Sequence, residues 1–551
     1  MFIRVIKRPN TEKRSVQIVK SIRTGKKVRQ KIIQVVGYAF DDDTIERLKD
    51  VAEHIKAKLL YAEQPTIFPV EKMAEMAIQA RKNKEKDKEL PVNLKTLREQ
   101  ERVIVGIHEA YGRVYHLLDF ETVLTKRNLA ARKILYHITM ARLANPVSKR
   151  ASVAMLNQDF GIQLNVNNVY RMMDKIDDKA IDKIQKKAQE TTNTLLKNKV
   201  NVIFYDCTTL YFESFSPDEL KQNGYSKDGK FNQPQVLLAL LVTEEGLPIG
   251  YEVFPGGTFE GNTLAPVLDK LKKQHQLDRV VFIADSALLS KKNRAFLEKN
   301  EYQYILGERL KSLPDRLKKQ VIQHENYTKT TKEDETHTVA EFEFGNNRLI
   351  TSYSKKRAKK EQHDRETAVE KLKKRLEKSS NPKSLLSNYG YKKYVSLSDD
   401  THLFIDQQKM EEDSRWDGLG GVITNVKDVA ATEIIKQYRG LWQIESCFRI
   451  QKHNLKVRPI FHWTPHRVRA HIAMCYMAFT CQRYLSYRLK LQNHSLSVEE
   501  IRNALMHIEF SILKSTTTGA CYGIPSKITT NARKIYKTLR LDYDSNPFLI
   551  T

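Results

Sequence analysis

No apolar run in this chain approaches the roughly 18 residues of a membrane span. The longest candidates, Val236–Val242 and Ala473–Phe479, are much too short. The opening MFIRVIKRPN lacks the apolar core of a signal peptide, so no secretory leader is expected. Cysteine is scarce: Cys207, Cys447, Cys475, Cys481 and Cys521 form no CxxC pair and no zinc spacing. They read as free thiols of a reducing compartment, and a cytoplasmic location is expected. There is no Walker A loop, no GxGxxG and no internal repeat, so nucleotide-driven chemistry has no visible support. Acids are also short, 66 Asp and Glu against 94 Lys and Arg, which leaves a net charge of +28. Such an excess concerns partners rather than fold, and nucleic acid is the commonest polyanion. The alternative is a basic pI with no polyanion partner. Hydrophobic residues reach 40% of the 551, enough for real cores, and this excludes a wholly disordered polybasic chain.

Residues 1–37 carry eleven Lys and Arg and one acid, Glu12. Two β-type runs, Ser15–Val19 and Lys31–Val36, flank Thr24-Gly25, which suits a basic hairpin on a phosphate backbone or a solvated edge hairpin. A helical stretch ends in the charged run 82–90, and an apolar-periodic helical region covers roughly 101–200. Inside it, Ser148 caps a first helix and Phe160-Gly161 supplies a turn. Asn165 caps a second helix with Val166, Val169, Tyr170 and Met173 on one face. The other face offers Asn167, Asn168, Arg171 and Lys175, types that reach bases and phosphates. The pair reads either as a helix-turn-helix or as an ordinary helical hairpin.

Beyond 200 the pattern becomes α/β. Strand-like runs occupy Val200–Tyr205, Val236–Val242 and Ile249–Phe254, then Arg279–Ala284 and Tyr302–Leu306, with helices at Leu264–His275 and Ser290–Asn300 between. A charged middle breaks this rhythm. Gly420–Asn425 then leads into a long helix near Thr432–Asn454. Asp206 and Asp285 each follow an apolar strand, where a carboxylate is costly unless compensated. A cap or an ion pair is one compensation and a divalent cation another. Glu445 shares a helix face with Tyr438 and Lys452, and with Leu441, Trp442, Phe448 and Arg449. That face is expected to pack, with Arg449 or a shared metal ion as the partner of Glu445. Three carboxylates around two Mg²⁺ would suit an in-line displacement at phosphorus.

These residues resemble the DDE transposases of bacterial insertion sequences, in the group marked by a Tyr-Arg-Glu-Lys motif. Tyr438-Arg439 through Glu445, with Phe448-Arg449 and Lys452, carries the spacing. Asp206-Cys207-Thr208 and Ala284-Asp285 are similar to the two aspartate blocks. Gly224–Gly229, Gln235-Val236, Phe254-Pro255-Gly256 with Glu260, Thr263-Leu264, Asp417-Gly418, Thr424-Asn425, Arg458-Pro459-Ile460 and His462 match further blocks. Leu441 stands where the family often has arginine, and Asp285 is followed by Ser286-Ala287 rather than glycine.

The resemblance implies an α/β fold: a ribonuclease H-like mixed sheet with a mostly β insertion domain, plus a largely helical N-terminal DNA-binding region. The expected partition is a basic β hairpin unit at 1–37 and a helical DNA-binding and dimerisation region at 38–199, with a helix-turn-helix-like 148–176. The catalytic domain would occupy 200–307 and 419–490 around an insertion at 308–418, with a helical C-terminal region at 491–551. The resemblance also implies Mg²⁺, with Mn²⁺ as a substitute, on Asp206, Asp285 and Glu445. DNA contacts are expected from Tyr438, Arg439, Arg449, Lys452, Arg458 and His462. The partners would be terminal inverted repeats, target DNA and a second copy in a synaptic homodimer, in a bacterial cytoplasm at the nucleoid. A nuclease without strand transfer and an inactive DNA-binding regulator are the competing readings.

Overall fold

The computed structural model describes residues 1–7, 13–24, 27–63, 70, 73–78, 92–197, 199–213, 216–226, 229–230, 232–274, 280–329, 337–378, 390–397 and 403–550. Gly25 of the expected turn, the charged run 82–90, Lys227-Asp228 and His275 lie outside the described residues.

At the N-terminus, β1 (Phe2–Lys7), β2 (Arg14–Thr24) and β3 (Lys27–Ala39) form an antiparallel sheet in that order. Helix α1 (Asp42–Glu63) covers it, and Val16, Ile18, Ala39, Ile45 and Ala52 make a small core of their own. The expected hairpin is thus β2 and β3, the central strand and one edge of a three-stranded unit.

β4 (Leu97–Ile104) precedes a helical region. It holds α2 (Gly106–Leu117), α3 (Leu129–Ala144), α4 (Lys149–Phe160), α5 (Val166–Met173) and α6 (Asp178–Leu195). The caps read from sequence are present. Ser148 Oγ accepts from the Ala151 N–H, Gly161 ends α4 at φ 64°, and Asn165 accepts from the Asn167 N–H.

The main sheet has nine strands. They are β5 (Val202–Tyr211), β6 (Gln235–Thr243), β7 (Pro248–Pro255), β8 (Val281–Ala284), β9 (Gln303–Glu308), β10 (Thr328–Lys329), β11 (His337–Phe344), β12 (Asn347–Ser354) and β15 (Leu419–Thr424). A separate pair, β13 (Val395–Leu397) and β14 (Leu403–Ile405), lies between β12 and β15 in the chain. The nine-strand order is β10-β11-β12-β15-β9-β8-β5-β6-β7, with β5, β8 and β9 parallel and the rest antiparallel. Helices α7 (Leu264–Gln274) and α8 (Lys291–Lys299) join its first strands. The segment 308–418 differs from a mostly β insertion. β11 and β12 extend the main sheet, and the segment also holds the 24-residue α9 (Lys355–Lys378).

The long helix expected near Thr432–Asn454 is broken into α10 (Ala431–Arg439), α11 (Trp442–Arg449) and a π-helical turn at Ile450–Asn454. After it, α12 (Pro465–Lys490) is buried on all sides through Val468–Leu485, which makes it the hub of the largest core. No helix among the described residues is long and apolar enough to cross a membrane. The region 491–551 is not simply helical. β16 (Glu509–Ser515) and β17 (Cys521–Pro525) lie between α13 (Val498–Met506) and α14 (Thr530–Leu539), and β18 (Phe548–Ile550) follows α14. These strands form the sheet β18-β17-β16-β4. They were not legible because Phe510 and Ile512 are only partly buried and their partner strand lies some 400 residues earlier, Arg102 and Glu509 being 407 residues apart.

Candidate active site

β5 and β8 pair in parallel up to Tyr205 opposite Ala284, so Asp206 and Asp285 are the next residue of each chain segment beyond the last paired position. Side chains in register on parallel neighbours share a face. By the two-residue period that face also carries Phe204 and Ile283, both in the core beneath α12. The opposite face carries Tyr205 and Cys207 in a second core. There, Tyr205 Oη donates to Thr263 Oγ1 at 2.7 Å, and burial pushes the Cys207 thiol up to about 12, which leaves it inert.

Asp206 does not end its strand as expected. β5 continues to Tyr211 because its pairing with β6 runs on to Gln235, while β8 stops at Ala284. Asp206 is half-buried beside that stop, and its Oδ1 accepts from the Cys207 N–H at 2.7 Å. Asp285 is exposed and caps the turn Ser286–Leu288, its Oδ1 accepting from the Ser286 N–H at 2.6 Å.

Glu445 lies on α11, which packs against β5 and β6. The buried face of α11 is Ile444, Cys447 and Phe448. Glu445 and Arg449 are both exposed, and Trp442 is 58% exposed. This corrects the expected packing stripe. Tyr438, Glu445 and Lys452 lie on three successive helical segments, divided by the turn at Gly440-Leu441 and by the π turn, and not on one continuous α-helix. Gly440 forces that break by resting on Phe204, where an added Cβ would come within 2.5 Å of the ring. The helix bearing Glu445 is thereby seated on the face that carries Asp206. Among the described residues no three His, Cys, Asp or Glu side chains converge closely enough to hold a metal ion. Three carboxylates repel one another without a cation between them, and Glu445 stands in solvent.

Tyr438 is half-buried and hydrogen-bonds Asp285; burial, then the Asp285 charge, push its hydroxyl up, so it remains a neutral donor. Its seat is Gly307 on β9, where an added Cβ would collide with the Tyr438 hydroxyl and lie 2.9 Å from Ser286 N. Gly307→Ala is expected to cost about 1–3 kcal/mol in urea denaturation, the usual penalty for overpacking. Tyr438→Phe should recover part of that loss. An equal loss in both backgrounds would show that the hydroxyl contact is not the cause. Tyr438, Asp285, Arg357, Arg365, Trp416 and Lys393 line an open cavity of about 830 Å³ between β9, α9 and β15.

The other expected DNA-contacting groups are spread more widely. Arg439 is exposed and Lys452 half-buried in the π turn. The Arg458 guanidinium lies 5.0 Å over the Tyr211 ring at the end of β5. Lys230 sits over the same ring at 5.5 Å, and Lys221 lies 6.0 Å from the exposed Trp463. Neither lysine nor Trp463 was picked out from sequence, although both lysines flank the Gly224–Gly229 block. His462 is half-buried between Tyr170 and His471. Burial, then Lys149, Arg467 and Arg142, push it down to about 3, so it is neutral near pH 7. Asn167, Asn168 and Arg171 are exposed on α5, and Lys175 Nζ donates to Asn128 Oδ1 at 2.8 Å.

Several blocks that resemble the family have architectural work. An added Cβ on Gly256 would collide with the Gln235 and Gln222 carbonyls. Asp417 takes both Nη atoms of Arg365 at 2.6 Å, and Gly418 turns at φ 79°. Thr424 Oγ1 donates to Tyr304 O at 2.6 Å, and Asn425 accepts from Tyr304 N and donates to Tyr302 O, each at 2.9 Å. These two residues stitch β15 to β9.

Residues 198–481 match the family described as transposase DDE domain, and residues 3–64 match the IS1634 family transposase N-terminal domain. No curated protein matches the chain. Among solved structures it is similar to a piggyBac transposase synaptic complex with hairpin DNA, at 8% identity and TM-score 0.37, covering 78% of this chain and 76% of that one. A Mos1 transposase paired-end complex with left transposon end is similar at 17% identity and TM-score 0.15, over 47% of this chain and 77% of that one.

Proposed function

We infer the chemistry below from the premise that this chain, a DNA transposase, belongs to the transposase DDE domain family, which matches 284 of its 551 residues, 198 through 481. The catalytic domain is ribonuclease H-like. The order β7-β6-β5-β8-β9, with the first two pairings antiparallel and the next two parallel, supports this. The observation that carries the site is that Asp206 and Asp285 directly follow Tyr205 and Ala284, the last residues paired between two adjacent parallel strands, with the Glu445 helix seated on the face of Phe204.

This donor set is all carboxylate oxygen, which suits Mg²⁺ or Mn²⁺. Asp206, Asp285 and Glu445 would hold the ions, with Glu445 swinging in from solvent. When bound, such ions activate an attacking oxygen and stabilise the leaving one. The protein's own residues do the rest. The N–H groups of Cys207 and Ser286 orient one oxygen of each aspartate, and Tyr438 steadies Asp285. Arg458 and Lys230 offer positive charge at the end of β5, where a strand of DNA would pass. Water then cuts at the element's end to free a 3′-OH, and that hydroxyl attacks target DNA. In the cut, the oxygen of water bonds to phosphorus as the bond to O3′ breaks and O3′ leaves as a hydroxyl; in joining, that O3′ bonds to a target phosphorus as a target 3′-OH is released. Two copies would hold two ends, in a bacterial cytoplasm.

The test is incubation with duplex carrying the inverted repeats that flank the gene, target plasmid and Mg²⁺. Cleaved ends and joined products are expected. Cleavage without joining would leave a nuclease, and absence of both would overturn the reading.

A further inference from the structure

Between α4, α5 and the segment after α11 lies a second cavity, of about 440 Å³. Five cations line it, Arg142, Lys149, Arg150, Lys456 and Arg458, with His462 and His471, and no acid does. Lys149 and Arg142 are only 4% and 6% exposed. Among the described residues neither pairs with a carboxylate. Lys149 Nζ donates to His471 Nδ1 at 3.1 Å, while His471 Nε2 lies 3.0 Å from the Val457 carbonyl. That fixes His471 as a neutral ring with its proton on Nε2. Arg142 Nη1 meets only backbone carbonyls, of Leu455 at 3.3 Å and Lys456 at 3.2 Å. To present its carbonyl there, Lys456 adopts a left-handed φ of 44°.

Two buried cations without an anion are costly. The cost is visible: burial, then Arg142, push the Lys149 ammonium down to about 7. The N-terminal end of α4, capped at Ser148, adds its own partial positive charge. A site so arranged lacks one component, a compact anion. The rim indicates its source. Phe461, which lines the cavity together with Arg458, is 61% exposed, and an aromatic face next to a cation suits a base attached to a phosphate.

We propose that this cavity seats a backbone phosphate of DNA, on Lys149 and Arg142 with Arg150, Lys456 and Arg458 around the mouth. The proposal rests on the DNA-acting reading above. The seat joins α4 and α5 to the segment leaving the Glu445 helix, so one phosphate would register the helical region against the catalytic face.

The experiment measures full-length protein binding a short labelled duplex of arbitrary sequence by anisotropy across a salt series. Lys149→Met should bind about tenfold more weakly, as for the loss of a charge-assisted hydrogen bond. Its log–log salt slope should shrink by about one. Its melting temperature should equal or exceed that of the wild type, because a buried unpaired charge is removed. A merely structural lysine would give the reverse, a lower melting temperature with unchanged binding, and would overturn the seat. Arg150→Gln, on the exposed rim, tests the same point if Lys149→Met fails to fold, and unchanged affinity there also counts against the seat. Inorganic phosphate at constant ionic strength separates the sources. If it protects the wild type from melting while both variants hold DNA normally, the cavity takes free anions and not DNA. A wild type that binds no duplex would overturn the transposase reading and the seat with it.

Discussion

Asp206→Asn is expected to lower cleavage at the element's end by at least about a thousandfold, equivalent to about 4 kcal/mol of transition-state stabilisation. The substitution is nearly isosteric. The amide oxygen of asparagine can still accept from the Cys207 N–H, so β5 keeps its local bond. Charge is removed and shape is retained, so a stability change of less than about 1 kcal/mol is expected. Duplex binding should be unchanged or slightly tighter, since a negative group leaves the surface proposed to meet phosphates. Single-turnover cleavage, with binding measured in parallel, checks both. Retention of more than a tenth of the wild-type rate would remove Asp206 from the site. A parallel loss of binding would instead place it in DNA recognition.

The second large effect concerns stability. Arg365→Met is expected to destabilise the fold by about 3 kcal/mol, the lower end for breaking a buried ion pair. The side chains of Arg365 and Asp417 are only 10% and 16% exposed, and their fork is bidentate. Without Arg365 the Asp417 carboxylate stays desolvated and unpaired beside the start of β15. The same place is clamped by Glu361, whose Oε2 accepts from the Gly418 N–H at 2.8 Å. Adding Asp417→Leu should restore most of the loss, since removing both charges is far cheaper than removing one. Urea unfolding of the single and double variants decides it. A single variant within about 1 kcal/mol of wild type would show the pair to be solvated.

Much of the sheet was legible because its strands are nearly continuous apolar runs. Val236–Val242, for example, is buried throughout, which only a strand or helix covered on both faces allows. The two aspartates stood out because such runs end or pause at them. The Glu445 helix was read less well. One uninterrupted helical phase predicts its face, but Gly440 rests on Phe204 and a π turn follows Arg449. Neither contact has a local signature. The middle segment was read as separate because its charge breaks the pattern, yet Leu349 and Ile350 on β12 carry that strand into the main sheet. The cavity around Lys149 was invisible for a similar reason. Arg142, Lys149 and His471 are far apart in the chain and meet only once α12 is in place.

The pairing of β4 with β16 constrains the order in which the molecule can be made. Ile104 must wait for Glu509 before its strand has a neighbour in the sheet. At about 5–20 residues per second, a ribosome needs roughly 20–80 s to supply the 407 residues between Arg102 and Glu509. During that interval α2 to α6 can form, but the layer containing α12, α13 and α14 that closes their core is still being synthesised. A nascent chain therefore presents an incomplete helical region for most of its synthesis, and the finished surface appears only after residues past 509 emerge. Completion of the surface around α4 and α5 is thereby postponed until residues 198–481 have been translated.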